Sequence, residues 1–121
     1  MSGKKEQKRR ALLHAALELF AENGFNGAST ALIAERAGVA SGTLFFHFKS
    51  KEELIHSLFK EIRERIDSEV LKDVSADLST QERLHRMLLN LLRYFLTNPA
   101  EFKFAELYHY SPLNDLSLIH I

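Results

Sequence analysis

The sequence predicts an all-α chain: a three-helix unit built on a helix-turn-helix, followed by part of a second helical unit. Three observations carry that expectation. Apolar residues recur at three- and four-residue spacing, as in Leu12, Leu13, Ala16, Leu17 and Phe20, and no segment shows the two-residue period of a strand. Helix-boundary signals break the periodicity at short intervals: Asn23-Gly24, Thr30, Ser41, Ser50, Ser79 and Asn98-Pro99. Finally, Ala34, Gly38 and Leu44 have the spacing of two short helices in contact. A small residue permits close approach, a glycine ends the first helix, and an apolar residue returns to the contact.

The elements follow in order. A first amphipathic helix is expected over residues 6–22, closed by Asn23-Gly24, with Phe25 plugging the small core. Thr30 is the expected N-cap of a second helix over 31–37, and Ser41 that of a third over 42–48. Ser50-Lys51-Glu52-Glu53 reads as a capping box, in which the Ser50 hydroxyl accepts the Glu53 amide and the Glu53 carboxylate reaches back to the Ser50 amide. The fourth helix is expected to run to about residue 71 with Ile55, Leu58, Phe59, Ile62, Ile66 and Val70 as its stripe. After a polar connection over 73–80, Ser79 and Glu82 form a second capping box. It opens a helix expected to bury Leu84, Met87, Leu88, Leu91, Leu92 and Phe95. Asn98 is the expected N-cap of a last helix with Pro99 at its first position, carrying Phe102, Leu107 and Tyr108 and ending at Ser111-Pro112.

Composition bounds the function. The 121 residues suit one small domain with part of another, and 45% hydrophobic content is ordinary for a globular chain. Cysteine is absent, which excludes disulfides and thiolate metal sites. His14, His47, His56, His85, His109 and His120 show no paired ligand spacing, so no metal and no cofactor is expected. No apolar run has membrane-spanning length and no signal-peptide pattern opens the chain, so a soluble cytoplasmic protein, without a membrane partner, is the expectation. Neither a nucleophile–base set nor a phosphate loop is present, so an enzyme is not expected. Net charge is zero but divided. Residues 1–51 hold eight Lys/Arg against four Asp/Glu, whereas residues 52–121 hold eight against twelve. The positive potential therefore lies on the half with the helix-turn-helix, and Lys4, Lys5, Lys8, Arg9 and Arg10 read as a phosphate-contacting arm.

A helix-turn-helix places its second helix in the DNA major groove, which puts base recognition on residues 40–47. Ser41 and Thr43 can hydrogen-bond to bases or phosphates. Ala40 can touch a thymine methyl, as can Leu44 unless it is wholly buried; core packing is the favoured role for Leu44. The helix contains no Arg, Lys, Asn or Gln, so the bidentate readers of guanine and adenine are missing. Shape and water-mediated contacts are then expected to carry more of the discrimination. Phe46 and Phe48 read as core.

Several motifs share their order with one family. Ile33-Ala34, Ala37-Gly38-Val39, Gly42-Thr43-Leu44, His47-Phe48 and Ser50-Lys51-Glu52-Glu53-Leu54 resemble the N-terminal domain of the TetR family of bacterial transcriptional regulators, over roughly residues 8–58. The resemblance implies a DNA-binding domain over 1–51, with its motif at about 29–48, and a linking helix and incomplete helical effector and dimerisation domain over 52–115. It implies phosphate contacts from Thr30, His47 and Lys51, in keeping with the attraction of helix-start N–H groups for phosphate. Family members often carry tyrosine at the positions of Phe45 and Phe46; the missing hydroxyl puts a phosphate bond from Phe45 in doubt. The implied function is a repressor that binds a palindromic double-stranded DNA operator as a homodimer and releases it on binding a small-molecule effector. The effector and its contact residues are unknown. The rival reading is a non-DNA helical protein-interaction module, against which the divided charge and the motif spacing argue. The family continues past this length, and residues 116–121, Leu-Ser-Leu-Ile-His-Ile, match the translation of a transposase end sequence used in sequencing libraries. A truncated reading frame with a non-native tail over 116–121 is therefore the expectation, and the apolar faces of the helices carrying residues 84–95 and 102–108 would then lack their partners and lie exposed.

Overall fold

The computed structural model describes residues 2–113; the expected tail over 116–121 lies outside them. Six helices and no strand are present among the described residues: α1 (Ser2–Asn23), α2 (Thr30–Ala37), α3 (Ser41–His47), α4 (Lys51–Val70), α5 (Thr80–Thr97) and α6 (Pro99–His109). The all-α expectation holds in number and order of elements. α1 begins four residues before the expected start at residue 6. Its basic first turns are made of good helix formers, and Glu6 pairs with Arg10 one turn on at 3.2 Å.

The caps correct several assignments. Ser29, not Thr30, caps α2: its hydroxyl accepts the Leu32 amide at 3.1 Å, and Thr30 is the first helical residue. Ala40, not Ser41, sits at the N-cap of α3, with no side-chain bond, and Phe48 is its C-cap rather than its last residue. Ser50 caps α4 as expected, accepting the Glu53 amide at 3.1 Å. The Glu53 carboxylate, however, reaches one residue further back and accepts the Lys49 amide at 2.7 Å. Ser79 caps α5 through the Glu82 amide at 3.1 Å. Asn98 places α6 after it but turns its side chain the other way, donating to the Tyr94 carbonyl at 2.9 Å and so closing α5. Each slip is one residue or one direction. A short polar side chain can satisfy orphan groups of either neighbouring turn, and packing decides which.

The core gathers Leu12, Ala16, Leu19 and Phe20 of α1, Ile33 and Ala34 of α2, Leu44 of α3, Phe48, and Leu54, Ile55, Leu58 and Ile62 of α4. Phe104 and Tyr108 of α6 join the same cluster. Phe25 meets Phe20 and Phe104 edge-on at 5.2 and 5.6 Å, which is the plug expected of it. Tyr108 stacks on Phe59 at 3.9 Å and lies 2.8 Å from His56 Nδ1 through its hydroxyl. The interior thus runs across residue 51, with α6 lying on α1.

α5 departs from the burial its stripe predicts and shows the exposed face expected of a shortened chain. Of its stripe, Leu84, Leu88 and Leu92 are exposed and Met87, Leu91 and Phe95 half-buried; Tyr94 is its buried residue. The helix packs on α4 and α6 from one side, and no described element covers the other. The pattern was correctly amphipathic, but periodicity does not say whether a covering layer is present. Phe102 of α6 is likewise exposed. Tyr94 donates to the Glu101 carboxylate, a contact shorter than an ordinary hydrogen bond, and Arg65 approaches the same oxygen at 3.5 Å. This network ties α4, α5 and α6 together. Burial, then the bond to Glu101, pushes the Tyr94 phenol above its ordinary value.

Candidate nucleic-acid interface

α2 and α3 form the helix-turn-helix. Ala34, nearly inaccessible, lies in the contact between the helices. Gly38 closes α2 at φ 76°, and the amides of Gly38 and Val39 return to the Glu35 and Ala34 carbonyls at 3.0 Å each. That left-handed turn is open to glycine at little cost and to other residues only with strain. Leu44, 0% exposed, anchors α3 underneath. Arg36 bridges Glu18 and Glu22 of α1 at 3.7 and 3.8 Å, fixing α2 against the first helix.

Anchoring α3 through Leu44 and Phe48 turns the opposite side outward. Residues separated by four lie on one side of a helix, so Ser41 and Phe45, with Gly42 and Phe46, make up the exposed face beside Ala40. Phe45 is 48% and Phe46 68% exposed. The expectation that Phe46 belongs to the core is therefore corrected. The signal was available: Phe46 is two residues from both Leu44 and Phe48, and two such anchors leave it nowhere inside to point. Leu44 is also corrected as a DNA-contact candidate, since its side chain has no surface to offer.

The other candidates take three positions. Thr43 is half-buried at the edge of the exposed face. Thr30 and His47, both half-buried, stand at the start of α2 and the end of α3. Lys51 opens α4, half-buried, and lines a groove shared with Phe25, Asn26, Glu106 and Tyr110 rather than the exposed face of α3.

The basic arm flanks the face. Lys5 Nζ lies 5.3 Å from the centre of the Phe46 ring, and His47 meets the same ring edge-on at 5.1 Å. Arg9 is turned inward instead, pairing with Glu61 at 3.2 Å and lying over Phe48 at 5.6 Å. Lys4, Lys5 and Lys8 remain exposed along this side of α1. The contact between Lys5 and α3 is the feature that sequence reasoning missed. It joins residues about forty apart, and nothing local announces it. Among the described residues no group of His, Cys, Asp or Glu could hold a metal ion, and no helix is long and apolar enough to cross a membrane.

Residues 12–58 match the model for bacterial regulatory proteins of the TetR family. The fatty acid metabolism regulator protein of Bacillus subtilis (strain 168) is 36% identical over 80 residues, 66% of this chain and 41% of its own length. Two crystal structures show the same arrangement of helices. One, a candidate TetR-family transcription regulator from Shewanella sp. PV-4, matches with a TM-score of 0.85 and 38% identity over 91% of this chain and 58% of its own. The other, a TetR-family transcription regulator from Marinobacter aquaeolei VT8, gives 0.87 and 28% over 93% and 59%. The chain thus spans 41% of the length of that regulator and somewhat over half of the two solved chains. With the helix-turn-helix, its flanking helices and the overall path of the chain all shared, residues 12–58 of this chain are a DNA-binding domain of the TetR family of bacterial regulatory proteins.

Proposed function

We propose that this chain is the DNA-reading part of a transcriptional regulator, most simply a repressor, and not an enzyme. The observation that carries the reading is the exposed face of α3, raised on a helix-turn-helix and flanked by Lys4, Lys5 and Lys8 of α1. That surface matches the shape and the charge of a major groove between two phosphate rows. Ser41 and Ala40 stand on the face itself, whereas Thr30, His47 and Lys51 occupy helix ends from which phosphates are met. The regulators whose helix-turn-helix this chain shares favour this reading over a non-DNA interaction module.

In the whole protein two such heads would be held one helical turn apart by a homodimer, so that the operator is palindromic. Release by a small molecule follows if the ligand favours a conformation in which the two heads no longer meet successive grooves. The protein would then act in the cytoplasm, where its DNA is.

Selection of binding sites from random duplexes, followed by a salt titration, tests the reading. One motif should be enriched, with affinity falling steeply as salt rises. Lys51→Ala should weaken all duplexes about equally and make the salt slope shallower by about 1, the effect of losing one phosphate contact. A chain that enriches nothing and shifts no duplex at low salt is not a DNA reader. An unchanged slope would remove Lys51 from the phosphate contacts and leave it to the groove beside α6.

A further inference from the structure

The seven residues of α3 hold two exposed phenylalanines side by side, a contiguous apolar patch of the kind that marks a contact surface. Phe46 stays 68% exposed even with Lys5 and His47 against its ring, and Phe45 has no ring or cation partner among the contacts described for α3. Beside them on the same face is Gly42, where an added Cβ would meet nothing within 4 Å. Neither local packing nor an unusual backbone angle requires glycine there, so its effect is to leave the backbone bare toward whatever the face meets. The face carries one hydroxyl, from Ser41, and no amide or guanidinium side chain.

A duplex groove offers such a surface one protruding apolar group. In the major groove, adenine, guanine and unmodified cytosine present donors, acceptors and short C–H edges, whereas the pyrimidine C5-methyl group stands out into the groove. The charge around the patch selects the occupant as duplex DNA rather than an apolar protein surface. Lys4, Lys5 and Lys8 are exposed on neighbouring turns of α1, and Lys5 reaches the Phe46 ring itself. We propose that α3 reads its site chiefly by seating Phe45 and Phe46 against C5-methyl groups of pyrimidines, with Gly42 allowing the helix to lie close. The inference rests on the DNA-reading function above. Its ligand chemistry is a 5-methylpyrimidine, supplied by thymine or by 5-methylcytosine.

The test removes the methyl and nothing else. The site enriched from random duplexes is resynthesised with deoxyuridine replacing one thymine at a time, and binding of the purified chain is followed by fluorescence anisotropy at low salt. Base pairing and phosphate charge are unchanged, so any loss belongs to the methyl. One or more positions should lose about fourfold in affinity, the equivalent of one buried methyl group. At those positions cytosine should bind as poorly as uracil and 5-methylcytosine should restore the loss, which separates the methyl from the rest of the thymine base. Phe45→Ala and Phe46→Ala should each bind the thymine and uracil duplexes more nearly alike, with melting temperatures close to that of the parent because both rings are exposed. Equal binding of thymine and uracil duplexes at every position by the parent chain overturns the proposal while leaving it a DNA reader. Full discrimination retained by both alanine variants assigns the methyl contact elsewhere and overturns it too. Failure to bind any duplex sinks the DNA-reading function and this inference with it.

Discussion

Among the described residues Glu101 is the one buried charged side chain, and Tyr94 is the group that makes its burial tolerable. A buried carboxylate with an incomplete set of partners is expensive. Tyr94→Phe would leave it Arg65 alone, at 3.5 Å, and should destabilise the fold by about 1–3 kcal/mol at neutral pH. The pH dependence follows from the raised phenol. The folded chain keeps the Tyr94 proton at pH values where the unfolded chain, titrating near 10.0, has released it. The phenol's contribution is therefore complete below pH 10 and lost as pH rises toward the folded value. Urea midpoints measured from pH 7 to 11 should fall more steeply above 10 for the parent than for Tyr94→Phe. Parallel curves would show that another tyrosine governs the alkaline loss. None of this network was legible in the sequence, because Arg65, Tyr94 and Glu101 lie on three different helices. By contrast, the burial of Leu44 and Phe48 was legible, since the motif's spacing assigns one side of α3 to the interior.

At the scale of the element, the helix-turn-helix contains two glycines under opposite constraints. Gly38 sits at φ 76°, so Gly38→Ala should cost about 1–2 kcal/mol. Gly42 lies in the first turn of α3 with open space at its Cβ, so Gly42→Ala should leave stability unchanged or raise it by up to about 1 kcal/mol. On DNA, however, Gly42→Ala should weaken binding, because the new methyl stands between helix and groove. Thermal unfolding and anisotropy on the same two variants check both signs. A Gly42→Ala chain that is less stable than the parent would mean that the glycine serves the fold. Which elements exist could be read from apolar periodicity together with boundary signals, and among the described residues six helices appear where six were expected. Cap identities slipped by one residue at Ser29 and Ala40, each beside a polar neighbour that could also have capped, while Asn98 is the expected N-cap with its side chain turned to α5. At α5 the apolar side was correctly located and its exposure was expected of a shortened chain, although the stripe alone would have buried it.

Over the whole molecule, charge and packing divide the chain in different places. The positive half ends near residue 51, so the phosphate-seeking potential belongs to α1, α2 and α3. The interior does not end there, because Phe104 of α6 stacks toward Phe20 of α1 with ring centres 6.2 Å apart and is wholly inaccessible. A reading of domains from motifs alone sees the charge boundary and misses the shared core, since α6 carries no signal of what it will pack against. The consequence is mechanical. α6 adjoins the buried Tyr94–Glu101 network on one side and the helix carrying Lys4, Lys5 and Lys8 on the other. A shift of α6 would therefore move the frame on which α3 is mounted. Phe104→Ala should cost about 3–5 kcal/mol, the range for removing a fully buried phenylalanine. If the interior is one cooperative unit, amides of α1 around Leu12, Ala16 and Phe20 should lose hydrogen-exchange protection together with those of α6. Duplex affinity should fall with them, although Phe104 is far from the exposed face of α3 in sequence and in function. Loss of protection confined to α6, with α1 and duplex binding unaffected, would make α6 a satellite of the DNA-reading unit and remove it from any route by which that unit could be controlled.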